Sequence, residues 1–162
     1  MSTVTIRPAV PGDEQTILSF IQALADYEHL SDQVVATPEL LREWIFEKKK
    51  AEVLFAVAGG REVGFALFFH NFSTFLGRAG IYLEDLFVLP EERGRGYGEA
   101  LLRELARLTL DRGCGRLEWA CLDWNRPSID FYTQKMRAVP MDEWTTYRLT
   151  GETLEGAAEA DA

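Results

Sequence analysis

Leu86-Phe87-Val88-Leu89-Pro90-Glu91-Glu92-Arg93-Gly94-Arg95-Gly96-Tyr97-Gly98-Glu99 is the stretch on which the fold turns. It opens as an apolar strand and passes through a glycine-rich turn. Leu101, Leu102, Leu105 and Leu108 then follow with the spacing of one helix face. Gly94, Gly96 and Gly98 lack Cβ atoms, so backbone amides there can approach an anion closely. The first turn of the helix adds unpaired N–H groups and the positive end of a dipole. Arg93 and Arg95 can add charge-assisted hydrogen bonds to the same phosphates. Two other phosphate motifs are excluded, since no Lys-Ser/Thr pair follows the glycines and GxGxG differs from the dinucleotide GxGxxG. By itself the stretch fits an ordinary glycine-rich turn before a helix equally well.

On the N-terminal side, residues 4–7 alternate as a strand. Pro8, Pro11 and Gly12 break it, and Asp13 stands at the N-cap of a helix with Ile17, Leu18, Ile21, Leu24 and Ala25 on one face. Thr37-Pro38-Glu39 repeats the start signal, with Leu40, Leu41, Trp44 and Ile45 as the expected buried stripe of a helix ending near Lys48. Residues 53–57 and 63–69 read as two strands joined at Gly59-Gly60, and 81–88 as a third, interrupted by Glu84-Asp85. On the C-terminal side the helix stops at Gly113. A strand over 117–122, a helix over 125–135 with Pro127 in its first turn, and a strand over 144–149 complete a mixed α/β layer. Residues 1–150 are expected to form one domain, and 151–162 an acidic, frayed tail.

The composition suits such a domain: 162 residues, 47% hydrophobic. Lys and Arg number 17 against 26 Asp and Glu, a formal charge of −9, which disfavours nucleic acid as a partner and favours approach of a cation, while a charge that only keeps the protein soluble fits equally well. No stretch approaches the roughly 20 apolar residues of a membrane span, and residues 1–7 lack a signal-peptide layout, so the expected location is the cytoplasm. Cys114 and Cys121 lack CxxC spacing and a His cluster. They are expected to be reduced thiols, with no disulfide and no bound metal.

Arg93-Gly94-Arg95-Gly96-Tyr97-Gly98 resembles the Arg/Gln-x-x-Gly-x-Gly/Ala signature of the GNAT superfamily of N-acetyltransferases, and the similarity extends from Ile6 to Leu149. Tyr82-Leu83-Glu84-Asp85 and the run from Asp123-Trp124-Asn125-Arg126-Pro127-Ser128 through Ile129-Asp130-Phe131-Tyr132 resemble its spermidine/spermine and thialysine acetyltransferase branch. The resemblance implies a mostly antiparallel sheet with helices on both faces. It also implies a V-shaped opening between the strands ending near Val88 and Leu122, and acetyl-CoA as cosubstrate. By the same resemblance, the backbone around Leu86, Phe87 and Val88 pairs with pantetheine, and the amides of 94–99 hold the pyrophosphate. Asn125, Pro127 and Ser128 flank the cofactor, Tyr132 faces the thioester sulfur, and the protein is a homodimer.

Chemistry gives these roles content. An alkylammonium of pKa about 10.4 has no lone pair, so a base must take its proton before it can attack a thioester. Glu84, in an apolar strand beside Asp85, is the expected base, with a pKa raised by partial burial. Its bland alternative is a strand carboxylate paired with a basic side chain. Tyr132 is expected to assist the departing thiolate. A phenol of pKa about 10 gives its proton uphill to a thiol of about 8.5, so hydrogen bonding matters as much as transfer. Cys121 has no neighbouring His and reads as a small buried hydrophobe. For the small-molecule amine, Tyr27-Glu28 at the end of the first helix resembles the cation-binding residues of the polyamine branch, and Glu28 with Asp85 can hold a distal ammonium; an exposed helix-end pair fits Tyr27-Glu28 equally well. Two departures qualify that branch. Ser73 stands where polyamine enzymes carry an acid, and Met136 replaces the glycine that usually ends the helix. The rival functions are a non-catalytic acyl-CoA sensor and a protein acetyltransferase.

Overall fold

Strand β1 (Val4–Pro8) gives way at Pro8 to helix α1 (Glu14–Tyr27). Asp13 occupies the N-cap position, but its carboxylate receives Arg7 at 2.9 and 3.2 Å and the Val10 N–H at 2.8 Å rather than capping the helix. Helix α2 (Pro38–Leu41) is capped as expected, the Thr37 hydroxyl accepting from Leu40 N at 3.1 Å. It then widens into a π turn over Arg42–Glu47, where Lys48 N bonds the Glu43 carbonyl five residues back. That wider winding spoils the expected stripe: Ile45 is buried, whereas Leu40 and Trp44 are exposed.

β2 (Glu52–Ala58) and β3 (Arg61–Ser73) form the hairpin, with Gly59 and Gly60 both at positive φ, 59° and 76°. β4 (Arg78–Val88) pairs antiparallel with β3, and β5 (Leu117–Trp119) pairs with β4 in parallel, which closes a sheet in the order β1-β2-β3-β4-β5. On one face Ile17 and Phe20 of α1 and Ile45 pack on Val53, Phe55, Phe65 and Phe87, with the Phe20 and Phe65 rings stacked at 5.2 Å. On the other lies α3 (Tyr97–Asp111), which buries Leu101, Leu102 and Leu105. Gly64 permits that approach, since a Cβ there would meet the Phe87 carbonyl at 3.0 Å and Leu101 Cδ1 at 3.4 Å.

The structure, a computed structural model, describes residues 3–159. Its contacts fall into two compact units, Met1–Ala120 and Cys121–Ala162. The second contains α4 (Arg126–Asp130), a π turn over Phe131–Lys135 and α5 (Gly151–Glu159). Three expectations change here. β5 ends at Trp119 instead of reaching 122. Residues 144–149 form no strand and lie exposed, Tyr147 at 90%, because strand-forming side chains need a half-buried pleated surface to rest on. Residues 151–159 wind into an exposed helix rather than fraying, in keeping with their Ala and Glu content; the rest of the tail lies outside the described residues.

Candidate active site

β4 and β5 pair only from Ile81↔Leu117 to Leu83↔Trp119. Beyond Leu83, β4 runs on to Val88 while β5 has ended, so the β5-facing edge of β4 is left open over 84–88. The strands separate at an irregularity: Phe68 faces Leu83 and Leu67 faces Asp85, which leaves Glu84 as an extra, unpaired residue, a β-bulge. Leu83 therefore follows Phe68 to the α3 face. Asp85 follows Leu67, and its strand neighbour Phe87 follows Phe65, to the α1 face.

At the end of β4 the glycine turn is arranged to receive an anion. Gly94 and Gly96 lie at φ 80° and 86°, and no heavy atom stands within 4 Å of where their Cβ atoms would be. Gly96 is the N-cap of α3 and has no side chain with which to cap the first helical amides, at Tyr97, Gly98 and Glu99. The Tyr97 side chain is buried, and the Glu99 carboxylate is held by Arg103 at 2.8 Å. The arginines stand elsewhere than expected. Arg95 pairs with Glu92 at 3.2 Å. Arg93 turns back over the rings of Tyr27 and Phe87, at 4.7 and 5.0 Å, and its Nε donates to the Val88 carbonyl at 3.0 Å. One acceptor expected to face pantetheine is thus already bonded, and the Phe87 side chain is core rather than lining.

On the α1 face the unpaired groups are acidic. Glu28 is the C-cap of α1 and half-buried; Asp85 is half-buried; Glu84 is exposed. Other carboxylates here have arginine partners: Asp13 and Glu62 with Arg7, Glu52 with Arg112, Glu92 with Arg61, Glu118 with Arg116. Glu28, Glu84 and Asp85 have none among the described residues. Burial raises the Glu28 carboxyl. Burial and the neighbouring charges of Glu84 and Glu28 push Asp85 up to about 7. The burial expected of Glu84 thus falls on Asp85, because the bulge turns Asp85 toward α1 and leaves Glu84 in solvent.

Tyr82 and Glu118 also belong to this face, and their proximity, which depends on the parallel pairing of β4 with β5, is not visible in the sequence. Tyr82 packs on Phe69 with rings 5.4 Å apart and stands beside Glu118; burial and the charges of Glu84 and Glu118 raise its phenol. Glu118 receives Asn71 Nδ2 at 3.2 Å. Ser73 is 4% exposed, and its hydroxyl accepts from Leu76 N at 3.1 Å, so it is a turn residue rather than a ligand.

In the second unit, Asn125 Oδ1 accepts from Ser128 N at 3.4 Å and caps α4, with Pro127 in the first turn. Tyr132 lies half-buried in the π turn against Phe131, with its carbonyl accepting Ala138 N at 2.9 Å. The left-handed residue that glycine usually supplies at such a helix end is here Arg137, φ 59°. Cys114 and Cys121 are not joined in a disulfide; Cys114 is buried and Cys121, expected to be buried, is half-buried. Among the described residues no His, Cys, Asp and Glu side chains converge in a metal-binding group, and no helix is long and apolar enough to cross a membrane.

An open-edged strand running through a glycine turn into a helix fits the pyrophosphate and amide-bearing arm of a CoA thioester, and residues 18–136 match the Acetyltransferase (GNAT) family. The chain belongs to that family and is an N-acetyltransferase whose cosubstrate is acetyl-CoA. It is 40% identical to the thialysine N-epsilon-acetyltransferase of Sus scrofa, over 98% of this chain and 99% of that one. It is 33% identical to the protein of the same name from Caenorhabditis elegans, with the same coverage. Among solved structures, an integron cassette protein from the mobile metagenome of V. cholerae superposes with a TM-score of 0.80 at 26% identity, over 97% of this chain and 98% of that one.

Proposed function

We propose that this acetyltransferase acylates the terminal amine of a small lysine-like molecule by direct attack within a ternary complex. The observation that carries this reading is the trio Glu28, Glu84 and Asp85, which lies beside the fork of β4 and β5 with no internal cation, in a protein that pairs its other buried-side acids with arginine. An ammonium supplied by the acceptor completes that charge balance. The buried, bonded Ser73 puts no carboxylate in the β3–β4 turn, which favours a short acceptor with one distal ammonium over a long polycation. The thialysine activity named for the full-length relatives agrees with this choice.

In this reading the amides of Tyr97, Gly98 and Glu99 hold the pyrophosphate, and Leu86 pairs with the pantetheine arm. Asn125 and Ser128 flank it, and Tyr27, Glu28 and Asp85 seat the acceptor. One carboxylate of the Glu84-Asp85 pair takes the ammonium proton, and the freed lone pair attacks the thioester carbonyl carbon. The C–S bond then breaks with Tyr132 hydrogen-bonding to the leaving sulfur. Neither a metal nor a covalent enzyme intermediate takes part. The protein works as a cytoplasmic homodimer, for which sedimentation at micromolar concentration is the check.

The test is release of free CoA thiol from acetyl-CoA with thialysine, lysine, spermidine, putrescine and a no-amine control. Thialysine and lysine are expected to give the highest kcat/KM. Preference for spermidine overturns the acceptor, and acetyl-CoA binding without release from any amine overturns the reaction.

A further inference from the structure

We propose that Asp85, rather than the adjacent Glu84, is the base that removes the proton from the acceptor ammonium. The inference rests on the acetyl-transfer reading above and decides between the two acids it leaves open. Position speaks first. Asp85 is directly opposite Leu67 and shares the α1 face with Phe87, whereas Glu84 is the bulged residue with no partner across the strand. The last β4 residue bonded to β5 is Leu83, so Asp85 stands just inside the place where the strands part.

Surroundings speak second. The charges that act on Asp85 are those of Glu84 from its own strand and Glu28 from the end of α1; Tyr82 and Glu118 are neighbours across the β4–β5 pairing. Arg93, which lies on this face, is bonded to the Val88 carbonyl and covers the rings of Tyr27 and Phe87. Burial and the charges of Glu84 and Glu28 act on Asp85, in that order, and all three favour its protonated form. A carboxylate so placed is a stronger base than a solvated one, and proton transfer follows that strength. Glu84 is exposed to water and serves by its charge.

The step balances. One Asp85 oxygen accepts a proton from R–NH3+; the nitrogen lone pair forms the C–N bond as the C–S bond breaks. A second nitrogen proton is lost as the sulfur gains one to leave as thiol, and Asp85 returns its proton to water. The arriving ammonium itself drives Asp85 toward the carboxylate, so the base is charged when it is needed.

The experiment compares Asp85→Asn and Glu84→Gln in kcat, KM and pH profile, with acetyl-CoA and thialysine. Asp85→Asn is expected to lower kcat by about 10²- to 10⁴-fold and to abolish the acid limb of kcat/KM. Glu84→Gln is expected to keep that limb and move it to lower pH, because one repelling charge is gone. Loss of the limb in Glu84→Gln with its survival in Asp85→Asn overturns the proposal, as does an Asp85→Asn effect confined to KM. Carboxyl ¹³C NMR of aspartate-labelled protein needs no acceptor and separates this proposal from the acceptor reading. One aspartate is expected to titrate near neutrality in the wild type and to be missing in Asp85→Asn. If every aspartate titrates in the ordinary carboxylate range, the assignment of Asp85 fails even where acetyl transfer succeeds.

Discussion

Arg137 holds φ 59°, a left-handed conformation in which an L side chain crowds the following carbonyl. Arg137→Gly relieves that crowding at the cost of a more flexible unfolded chain, and is expected to raise unfolding free energy by about 0.5–1 kcal/mol in urea titration. Asp85 shows strain of another kind. Its carboxyl is raised from 3.8 to about 7, so the folded state favours the neutral form; stability is full below pH 3.8 and declines as pH climbs through the folded value. Asp13 behaves oppositely, because hydrogen bonds from Arg7 hold its carboxyl low and its contribution is lost on acidification. The difference in unfolding free energy between Asp85→Asn and wild type is therefore expected to shift in the variant's favour from pH 4 to pH 8, measured by denaturant midpoints at each pH. The residue types of this site were legible as a Glu-Asp pair in an apolar strand. Which acid turns inward was not, since both are polar and neither disturbs a hydrophobic pattern that would betray the extra residue.

Among the elements, β4 carries the Glu84-Asp85 pair and leads into the glycine turn, and it is an irregular strand. The glycine turn and α3 were readable because their signals are local: positive-φ glycines followed by leucines at helical spacing. The bulge at Glu84, the early end of β5 and the unpaired state of residues 144–149 depend on what lies across the sheet, and strand propensity carries no information about partners. β4 is also tightly built at Gly80, where a Cβ would stand 2.6 Å from Asn71 Oδ1 and 3.0 Å from the Arg116 carbonyl. Asn71 can give way but the β5 backbone cannot move without loosening the pairing. Gly80→Ala is expected to cost about 1–3 kcal/mol and to raise KM for acetyl-CoA as the fork shifts, read by thermal unfolding and steady-state kinetics.

For the whole molecule the governing quantity is charge. A formal charge of −9 attracts a cation and repels a polyanion such as acetyl-CoA, and Arg95 and Arg93 are engaged with Glu92 and with the Val88 carbonyl. Raising ionic strength from about 0.05 to 0.5 M is expected to lower kcat/KM for the amine while lowering KM for acetyl-CoA; equal trends for both would contradict steering by the protein's field. The order of elements as far as α4 and the layered sheet were legible from periodicity and turn chemistry. The bulge at Glu84 bears finally on heredity. The turns at Gly59-Gly60 and around Ser73 can gain or lose a codon and change only a connection. Loss of the codon for 84 would instead take out the one residue with no partner on β3, leaving Asp85 opposite Leu67 but straightening β4 where it parts from β5. Lineages of this protein are therefore expected to vary in length at their hairpins and to be invariant in length between Leu83 and Phe87, whatever substitutions accumulate there.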